Sequence, residues 1–308
     1  MRVLFITTPG EDYVQDSLLY GLRRLLGPDL VDWPRKAVMY ADEPRSAREL
    51  YGRGFTMWKL LPDLPLERPD ASALPARVAE FDRVVFGSVR RQSEVFRRWF
   101  TRPFRCRLPG APRVAFLDGE DHRNFFPPAL ARGTYFKRER TAATAALTRP
   151  ISIAIPGEKI APQVPAGKDR LFATHIQCEE AYRLGWIRKH CAQSYAFDDE
   201  EAYRADLQRS YFGVTMRKSG WDCMRHYEIA ANGTVPCFWQ LGAKSRFGAP
   251  FELIDGKNCV VFDTAEELER KTQSLLDHGR YGAVAENALA WARQHSCEAA
   301  ARYLLSAF

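Results

Sequence analysis

Residues 211–238, YFGVTMRKSGWDCMRHYEIAANGTVPCF, encode a strand, a helix and a second strand in one continuous stretch. The largely apolar run 211–216 predicts a buried strand, and residues 223–232 predict a helix that ends at Asn232-Gly233. Residues 235–239 predict the next strand. Two strands joined by a helix are the repeating unit of a doubly wound parallel sheet, so this stretch indicates an α/β fold.

The N-terminal half opens on the same pattern. Residues 3–8 predict a buried strand, leucines at helical spacing over 18–26 predict a helix, and residues 30–33 predict a second strand. Further strands are predicted at 81–88 and 114–118, after an irregular, proline-containing excursion over 35–75.

A proline-containing passage at 150–165 separates the two halves. The chain has 308 residues, and single cores stop growing at roughly 250–300 residues, so two domains are expected. We predict two Rossmann-like domains that face each other across a cleft, 1–150 and 151–295, with a C-terminal helix within 296–308 that crosses back to the first. The apolar positions expected to face the first domain are Ala299, Ala300, Tyr303, Leu304 and Phe308.

Composition points to a folded protein in a reducing compartment. The apolar fraction is 46%, and the net charge of +7 suits an anionic ligand or only a soluble surface. The seven cysteines are odd in number and lack CxxC spacing, which argues against a disulfide framework or a zinc ribbon. Neither a signal-peptide pattern nor a run of about 18 apolar residues occurs, so we expect a cytoplasmic protein.

The loop after the strand 211–216 carries a candidate anion site. Arg217 and Lys218 follow the strand directly, Gly220 permits close approach of a ligand, and a helix is expected to begin near Asp222. On that helix Arg225 and Glu228 share a face. The arginine could grip a diphosphate and the carboxylate could accept both hydroxyls of a ribose. The alternative is an ordinary ion pair between these two side chains on a helix surface.

The run Glu228-Ile229-Ala230-Ala231-Asn232-Gly233-Thr234-Val235-Pro236 resembles the E-A-x-A-x-G-x-P signature of GT-B glycosyltransferases. More closely, GWDCMRHYE with AANGTVP is similar to bacterial glycosyltransferases of family 1 related to spore-coat maturation glycosyltransferases, and the FKRE run at 136–139 fits the same group. The resemblance implies a GT-B fold and transfer of a hexose from a nucleoside-diphosphate sugar, without a metal or other cofactor. It assigns no acceptor.

The same resemblance implies roles for individual residues of the second domain. Glu228 would bind the ribose, and Arg225 with the loop 217–222 would bind the diphosphate. Trp221 and Asp222 would contact the sugar. The donor-binding residues are then Arg217, Lys218, Gly220, Trp221, Asp222, Arg225, His226 and Glu228. Many retaining members carry a glutamate where this chain has Gly220, so a retaining mechanism is not carried over.

An acidic cluster ends the predicted strand 114–118. Asp118, Glu120, Asp121 or His122 is expected to be the base that deprotonates an acceptor hydroxyl if the enzyme inverts. Two alternatives stay open for Asp118–Asp121. These residues could form a helix-capping loop, or they could hold a metal ion as in single-domain GT-A transferases.

An arginine- and aromatic-rich stretch spans residues 90–107. It predicts an amphipathic helix packed on the first sheet, with nucleic-acid binding or peripheral contact with anionic lipid as alternatives. A noncatalytic nucleotide-binding module is a further alternative. No Walker loop or GxGxxG follows the first strand and no GxSxG occurs, which argues against ATPases, dehydrogenases and serine hydrolases.

Overall fold

Two parallel β-sheets organise the chain, whose computed structural model describes residues 1–50, 55–100 and 112–308. The first sheet has the strand order β2-β1-β3-β4-β5-β6 and the second β10-β9-β8-β7. The strands are β1 (Val3–Ile6), β2 (Leu30–Trp33), β3 (Arg83–Phe86), β4 (Arg113–Asp118), β5 (Thr134–Lys137), β6 (Arg149–Pro150), β7 (Arg170–Phe172), β8 (Ser210–Met216), β9 (Val235–Trp239) and β10 (Val260–Phe262). The predicted α/β class is confirmed.

Both faces of the first sheet are buried, as the continuous apolar run in β1 predicts. Val3 and Phe5 enter one core, whereas Leu4 and Ile6 enter the core on the opposite face. The helices are α1 (Tyr13–Leu26), α2 (Leu74–Arg77), α3 (Ser93–Phe100), α4 (Pro127–Leu130), α5 (Ala142–Ala145), α6 (Gly185–His190), α7 (Glu200–Arg209), α8 (Met224–Ala231), α9 (Ala265–Asp277), α10 (Tyr281–Gln294) and α11 (Cys297–Ala307).

The chain passes between the two sheets twice, and the two passages lie side by side. Ile155, between β6 and β7, accepts a hydrogen bond from the Cys297 amide at 2.8 Å and donates its own amide to the His295 carbonyl. From there α11 packs against α1 of the first half. A side chain at Gly21 would collide with the Cys297 carbonyl, so this glycine permits the close approach of the two helices.

Three local details differ from the sequence-based expectations. The buried stripe of α11 consists of the predicted Leu304 and Phe308 together with Cys297 and Ala301, which were not predicted, and the predicted Tyr303 contacts Phe136 of the first sheet although it is 38% exposed. The helix predicted over 178–191 is broken, because Leu184 is extended, and only α6 follows it. The helix α7, capped by Asp199, was not predicted.

None of the helices in the described ranges combines the length and the apolar composition needed to cross a membrane.

Candidate active site

A cavity of about 290 Å³ lies between the two sheets. Its walls are the loops that follow β1, β4 and β5 of the first sheet, the loops that follow β7 and β8 of the second, and the start of α8. The segments 55–56 and 195–197 also line it, as do Arg91, Ile153 and Tyr203. The carboxyl ends of parallel strands therefore meet at this cavity, which is where ligands bind in open α/β sheets.

The second-domain wall contains two cations without a carboxylate partner. Arg225 donates through Nη2 to Gln177 Oε1 at 3.0 Å and to His175 Nε2 at 3.2 Å, while its buried Nη1 has no partner in the described residues. Lys218 donates to the same oxygen of Gln177. Burial and the nearby Arg225 lower the pKa of Lys218. Two positive charges thus share one neutral acceptor, which favours an anionic ligand.

His175 is held as a neutral acceptor beside these cations. Its Nδ1 lies 2.7 Å from the Ser194 carbonyl, so Nδ1 donates and Nε2 is left to accept from Arg225. Burial, and then Arg225, lower the pKa of His175 to about 4. Its ring stacks on Tyr195, with the ring centroids 5.6 Å apart.

The N-terminus of α8 opens into the cavity beside Arg225. Its N-cap residue is Cys223, which supplies no capping hydrogen bond, and Cys223, Met224 and Arg225 all line the cavity. The first backbone N–H groups of a helix have no partner within the helix and carry a partial positive charge. They add to the attraction that Arg225 and Lys218 exert on an anion.

Glu228 lines the same cavity and does not pair with Arg225. One carboxylate oxygen accepts from Thr56 Oγ1, and the other accepts from Tyr203 OH at 2.9 Å. Burial raises the pKa of Glu228. The simple helix-surface ion pair, one of the two interpretations of Arg225 and Glu228, is therefore not what the structure contains.

Three other predicted donor residues have structural partners. Asp222 joins the domains: its Oδ2 accepts from the Ile153 amide at 2.8 Å and its Oδ1 from Tyr227 OH at 2.7 Å, although it also lines the cavity. His226 is fully buried between Thr215 and the Trp221 carbonyl, and burial lowers its pKa to about 4.

Trp221 itself packs in a small apolar core with Phe238 and Leu241. Arg217 is exposed and lies over the Trp221 ring. Trp221, Arg217 and His226 are absent from the cavity lining, because the loop turns these side chains back onto their own domain.

Gly220 lets the two domains approach closely. A Cβ at this position would collide with Asp121 Oδ1 and would lie 2.7 Å from Glu139 Oε1. Asp121 pairs with Arg138, whose Nη1 also donates to the Asp222 carbonyl at 2.9 Å. The space that the missing side chain leaves is thus filled by carboxylates of the first domain.

Asp118 is the buried centre of an ion-pair network. Its Oδ2 accepts from Tyr135 OH at 2.7 Å, from Lys137 Nζ at 3.1 Å and from Arg90 Nε at 3.3 Å. Asp118 and Lys137 are almost fully buried, and burial lowers the pKa of Lys137. Asp118 does not line the cavity, so it supports the loop without reaching a ligand.

Only some of the predicted residues in the loop after Asp118 line the cavity. Glu120 and Asp121 line the cavity, but Glu120 pairs with Arg91 at 2.7 Å and Asp121 with Arg138. His122 is exposed and is absent from the lining. The capping interpretation does not describe Asp121, because its partner is the Arg138 guanidinium.

The structure also bears on the GT-A alternative and on the packing of the stretch 90–107. A single-domain GT-A chain is contradicted by the two separate sheets. In the stretch 90–107, Arg90 and Arg91 hold the acidic loop, and Phe96 packs in the core with Phe86. The helix is therefore core-packed as predicted. The predicted positions Arg102, Phe104, Arg105 and Arg107, and the Phe100 side chain, lie outside the described residues.

Several residues that line the cavity, or that contact its cations as Gln177 does, were not predicted from the sequence. Thr56, His175, Gln177 and Tyr203 had no motif to mark them, since each is brought to the site by the tertiary fold. Glu11 did carry a signal, because it lies in the loop between β1 and α1, at the carboxyl end of a parallel strand.

No protein-family model matches the sequence, and no curated protein matches it. Among solved structures, the chain is similar to Alr3699/HepE of Anabaena in complex with UDP, with a TM-score of 0.58, 10% identity and coverage of 99% of each chain. It is also similar to Alr3699/HepE in complex with UDP-glucose, with a TM-score of 0.54, 11% identity and coverage of 99% of this chain and 98% of that one. With the two facing sheets, this likeness shows the GT-B fold.

Proposed function

We propose that this protein transfers a hexose from a nucleoside-diphosphate sugar to an acceptor, without requiring a metal ion. The observation that carries the proposal is the pair of cations, Arg225 and Lys218, which form no ion pair within the described residues and share the neutral Gln177 at the uncapped N-terminus of α8. The phosphate groups of a diphosphate would give both cations anionic partners. The Arg225 fork suits its oxygens, and the unpartnered Nη1 offers a donor.

The neighbouring side chains suit the rest of a nucleotide. Glu228 is a half-buried carboxylate whose two hydrogen-bond partners are hydroxyl groups, those of Thr56 and Tyr203, and a ribose offers the same kind of donor. Tyr195 is 47% exposed and stacks on His175, and we assign this exposed ring to the nucleobase. Phosphate, ribose and base sites then follow one another along the second-domain wall.

The chain's own groups supply the positive charge that a metal gives to GT-A transferases. No cluster of three or more His, Cys, Asp or Glu side chains able to hold a metal occurs in residues 1–50, 55–100 and 112–308. The acids after β4 that could have bound one are instead paired with arginine or lysine. Arg225, Lys218 and the start of α8 would stabilise the charge that develops on the leaving diphosphate.

Two further observations narrow the proposal. Alr3699/HepE, which shares the fold, was crystallised with UDP, with UDP-glucose, and with UDP and glucose, so uridine nucleotides are the first probes. All cysteines that the structure describes are free, which supports a reducing, cytoplasmic location.

The proposal is tested by titration calorimetry in EDTA with UDP, GDP, ADP and inorganic pyrophosphate. We expect a nucleoside diphosphate to bind without a metal. Arg225→Gln should weaken it roughly 10- to 150-fold, because a hydrogen bond to a charged group contributes about 1.5–3 kcal/mol.

The matched control is Arg270→Gln, which removes an exposed arginine of α9 far from the cavity lining and should bind as the wild type does. Binding that appears only with Mn²⁺ or Mg²⁺, or equal affinities for the wild type and Arg225→Gln, would contradict the proposal. Tight binding without any transfer or hydrolysis of the corresponding sugar nucleotide would favour a noncatalytic nucleotide-binding module.

A further inference from the structure

The first-domain wall of the cavity contains one carboxylate that has no assigned partner. In the described residues the cavity is lined by Glu11, Asp12, Glu120, Asp121, Asp222 and Glu228. Five of these accept hydrogen bonds or pair with arginine, and the carboxylate of Glu11 does neither. A base that removes a proton must have a lone pair available, so the partners of the other acids matter for chemistry.

The five partnered acids have other tasks. Asp12 caps α1 by accepting from the Gln15 amide at 3.1 Å, and Glu120 and Asp121 pair with arginines. Asp222 ties the domains together, and Glu228 is on the donor wall. Protonating Glu120 or Asp121 would break an ion pair, and protonating Asp12 would weaken a helix cap, whereas Glu11 accepts a proton at no such cost.

The backbone on both sides of Glu11 is fixed. Lys36, which is fully buried, donates to the carbonyls of Thr8 and Gly10 and pairs with Asp16 at 3.0 Å. Asp16 in turn accepts from the Asp12 amide at 3.2 Å. The loop 8–12 is therefore held immediately before and immediately after Glu11.

Even the backbone carbonyl of Glu11 is held, since Arg91 Nη1 donates to it at 3.3 Å. The Nε of the same arginine is directed to Glu120, so Arg91 does not neutralise the Glu11 carboxylate. A free side chain on a rigid loop at the carboxyl end of β1 is the arrangement that a positioned proton acceptor requires.

We infer that Glu11 is the base that deprotonates the acceptor hydroxyl, and that transfer inverts the configuration at the sugar's anomeric carbon. This inference rests on the proposed function. The hydroxyl oxygen attacks C1, the bond from C1 to the β-phosphate oxygen breaks with its electron pair leaving on the diphosphate, and Glu11 takes the proton. Arg225 and Lys218, on the opposite wall, stabilise the charge on the departing diphosphate. A single displacement of this kind exchanges the α and β configurations.

The experiment uses the full chain, UDP-α-glucose as the donor and water as the accepting hydroxyl, with the protein in excess over the donor. Released UDP is quantified, and the anomer of the first released glucose is read by NMR. Glu11→Gln keeps the shape of the side chain and removes its basicity. We expect release to slow roughly 10²- to 10⁴-fold, the usual contribution of general-base catalysis. The affinity for UDP, measured separately by calorimetry, should change less than about twofold, and wild-type glucose should first appear as the β anomer.

Glu269→Gln is the matched control, since Glu269 is an exposed carboxylate of α9 outside the cavity lining, and it should release UDP at the wild-type rate. Undiminished release by Glu11→Gln, first release of α-glucose, or a wild type that binds UDP-glucose without hydrolysing it would each overturn the role of Glu11 while leaving the donor site intact. Failure of the wild type to bind UDP would instead overturn the donor site, and the role of Glu11 with it.

Discussion

Thr56 donates its hydroxyl hydrogen to a carboxylate oxygen of Glu228, a residue 172 positions away on the other side of the cleft. The contact joins a short turn of the first domain, Phe55–Met57, to α8 of the second. Lys159 strengthens the same approach by donating to the Phe55 carbonyl at 3.1 Å while pairing with Glu200 of α7 at 2.6 Å. A protein hydroxyl of the first domain thus donates to the carboxylate proposed to bind the ribose.

Replacing Thr56 with valine removes that hydroxyl while keeping the shape of the side chain. A ribose hydroxyl would then face no competing donor at Glu228 Oε1, so we expect UDP to bind roughly two- to tenfold more tightly, the scale of one hydrogen bond of about 0.5–1.5 kcal/mol. Calorimetry with inorganic pyrophosphate is the internal control, because pyrophosphate has no ribose and its affinity should not change. Weaker UDP binding by Thr56→Val would mean that Thr56 helps to bind the nucleotide.

Glu228→Gln should have opposite effects on two properties: it should raise the stability of the protein at pH 7 and weaken UDP binding. Burial raises the pKa of Glu228, so the folded state holds this proton more tightly than the unfolded state does. Its contribution to stability is therefore fully present below the unfolded pKa and is lost as the pH rises through the folded pKa. We expect Glu228→Gln to melt at a higher temperature than the wild type at pH 7, with the difference vanishing in acid.

The same variant should bind UDP more weakly, by roughly 1–3 kcal/mol, because the ribose loses a charged acceptor. Calorimetry and thermal melting over pH 4–8 measure both effects. A variant that binds UDP with wild-type affinity would remove Glu228 from the ribose site.

The local parts of this site could be predicted from the sequence. The strand β8, the helix α8 and the cations between them lie within about 20 residues of one another, so spacing alone placed Lys218, Arg225 and Glu228 together. Contacts between residues distant in the sequence could not be predicted, because nothing in the sequence around Thr56 indicates that it contacts Glu228.

The remaining differences between the predicted site and the structure arise from the ion-pair partners of the predicted acids. The acids after β4 were predicted to be a base, yet whether Asp118 is available depends on Lys137 and Arg90, which come from other elements. A pattern shows that a carboxylate follows a strand but does not show which cation neutralises it. The loop after β1 also carries a carboxylate, Glu11, which forms no ion pair within the described residues and has only a longer-range electrostatic interaction with Arg45.

Asp118→Asn tests whether Asp118 is structural. The change leaves the buried Lys137 ammonium without its counter-charge, and breaking a buried pair typically costs about 3–5 kcal/mol of the free energy of unfolding. Denaturant unfolding should show this loss, whereas UDP affinity of the folded protein should stay at the wild-type value. A variant of normal stability with slow sugar transfer would instead restore Asp118 as a candidate base.

Gly220→Ala should destabilise the closed arrangement of the domains. The added methyl group would collide with Asp121 and crowd Glu139, so we expect a loss of roughly 1–3 kcal/mol in the free energy of unfolding. Gly282→Ala is the matched control and should increase the free energy of unfolding, because this glycine of α10 faces open space and alanine favours a helix. Equal free energies of unfolding for the two variants would show that Asp121 and Arg138 can move enough to accommodate a methyl group at position 220.

The central claim is that the second-domain wall of the cavity binds a nucleoside diphosphate, and a crystal structure of the protein with UDP and EDTA tests it most directly. We expect diphosphate oxygens within about 3 Å of Arg225 Nη1 and Lys218 Nζ, with the ribose hydroxyls on the Glu228 carboxylate. The base should lie against Tyr195. A nucleotide bound elsewhere on the protein, or a diphosphate that contacts neither Arg225 nor Lys218, would contradict the account.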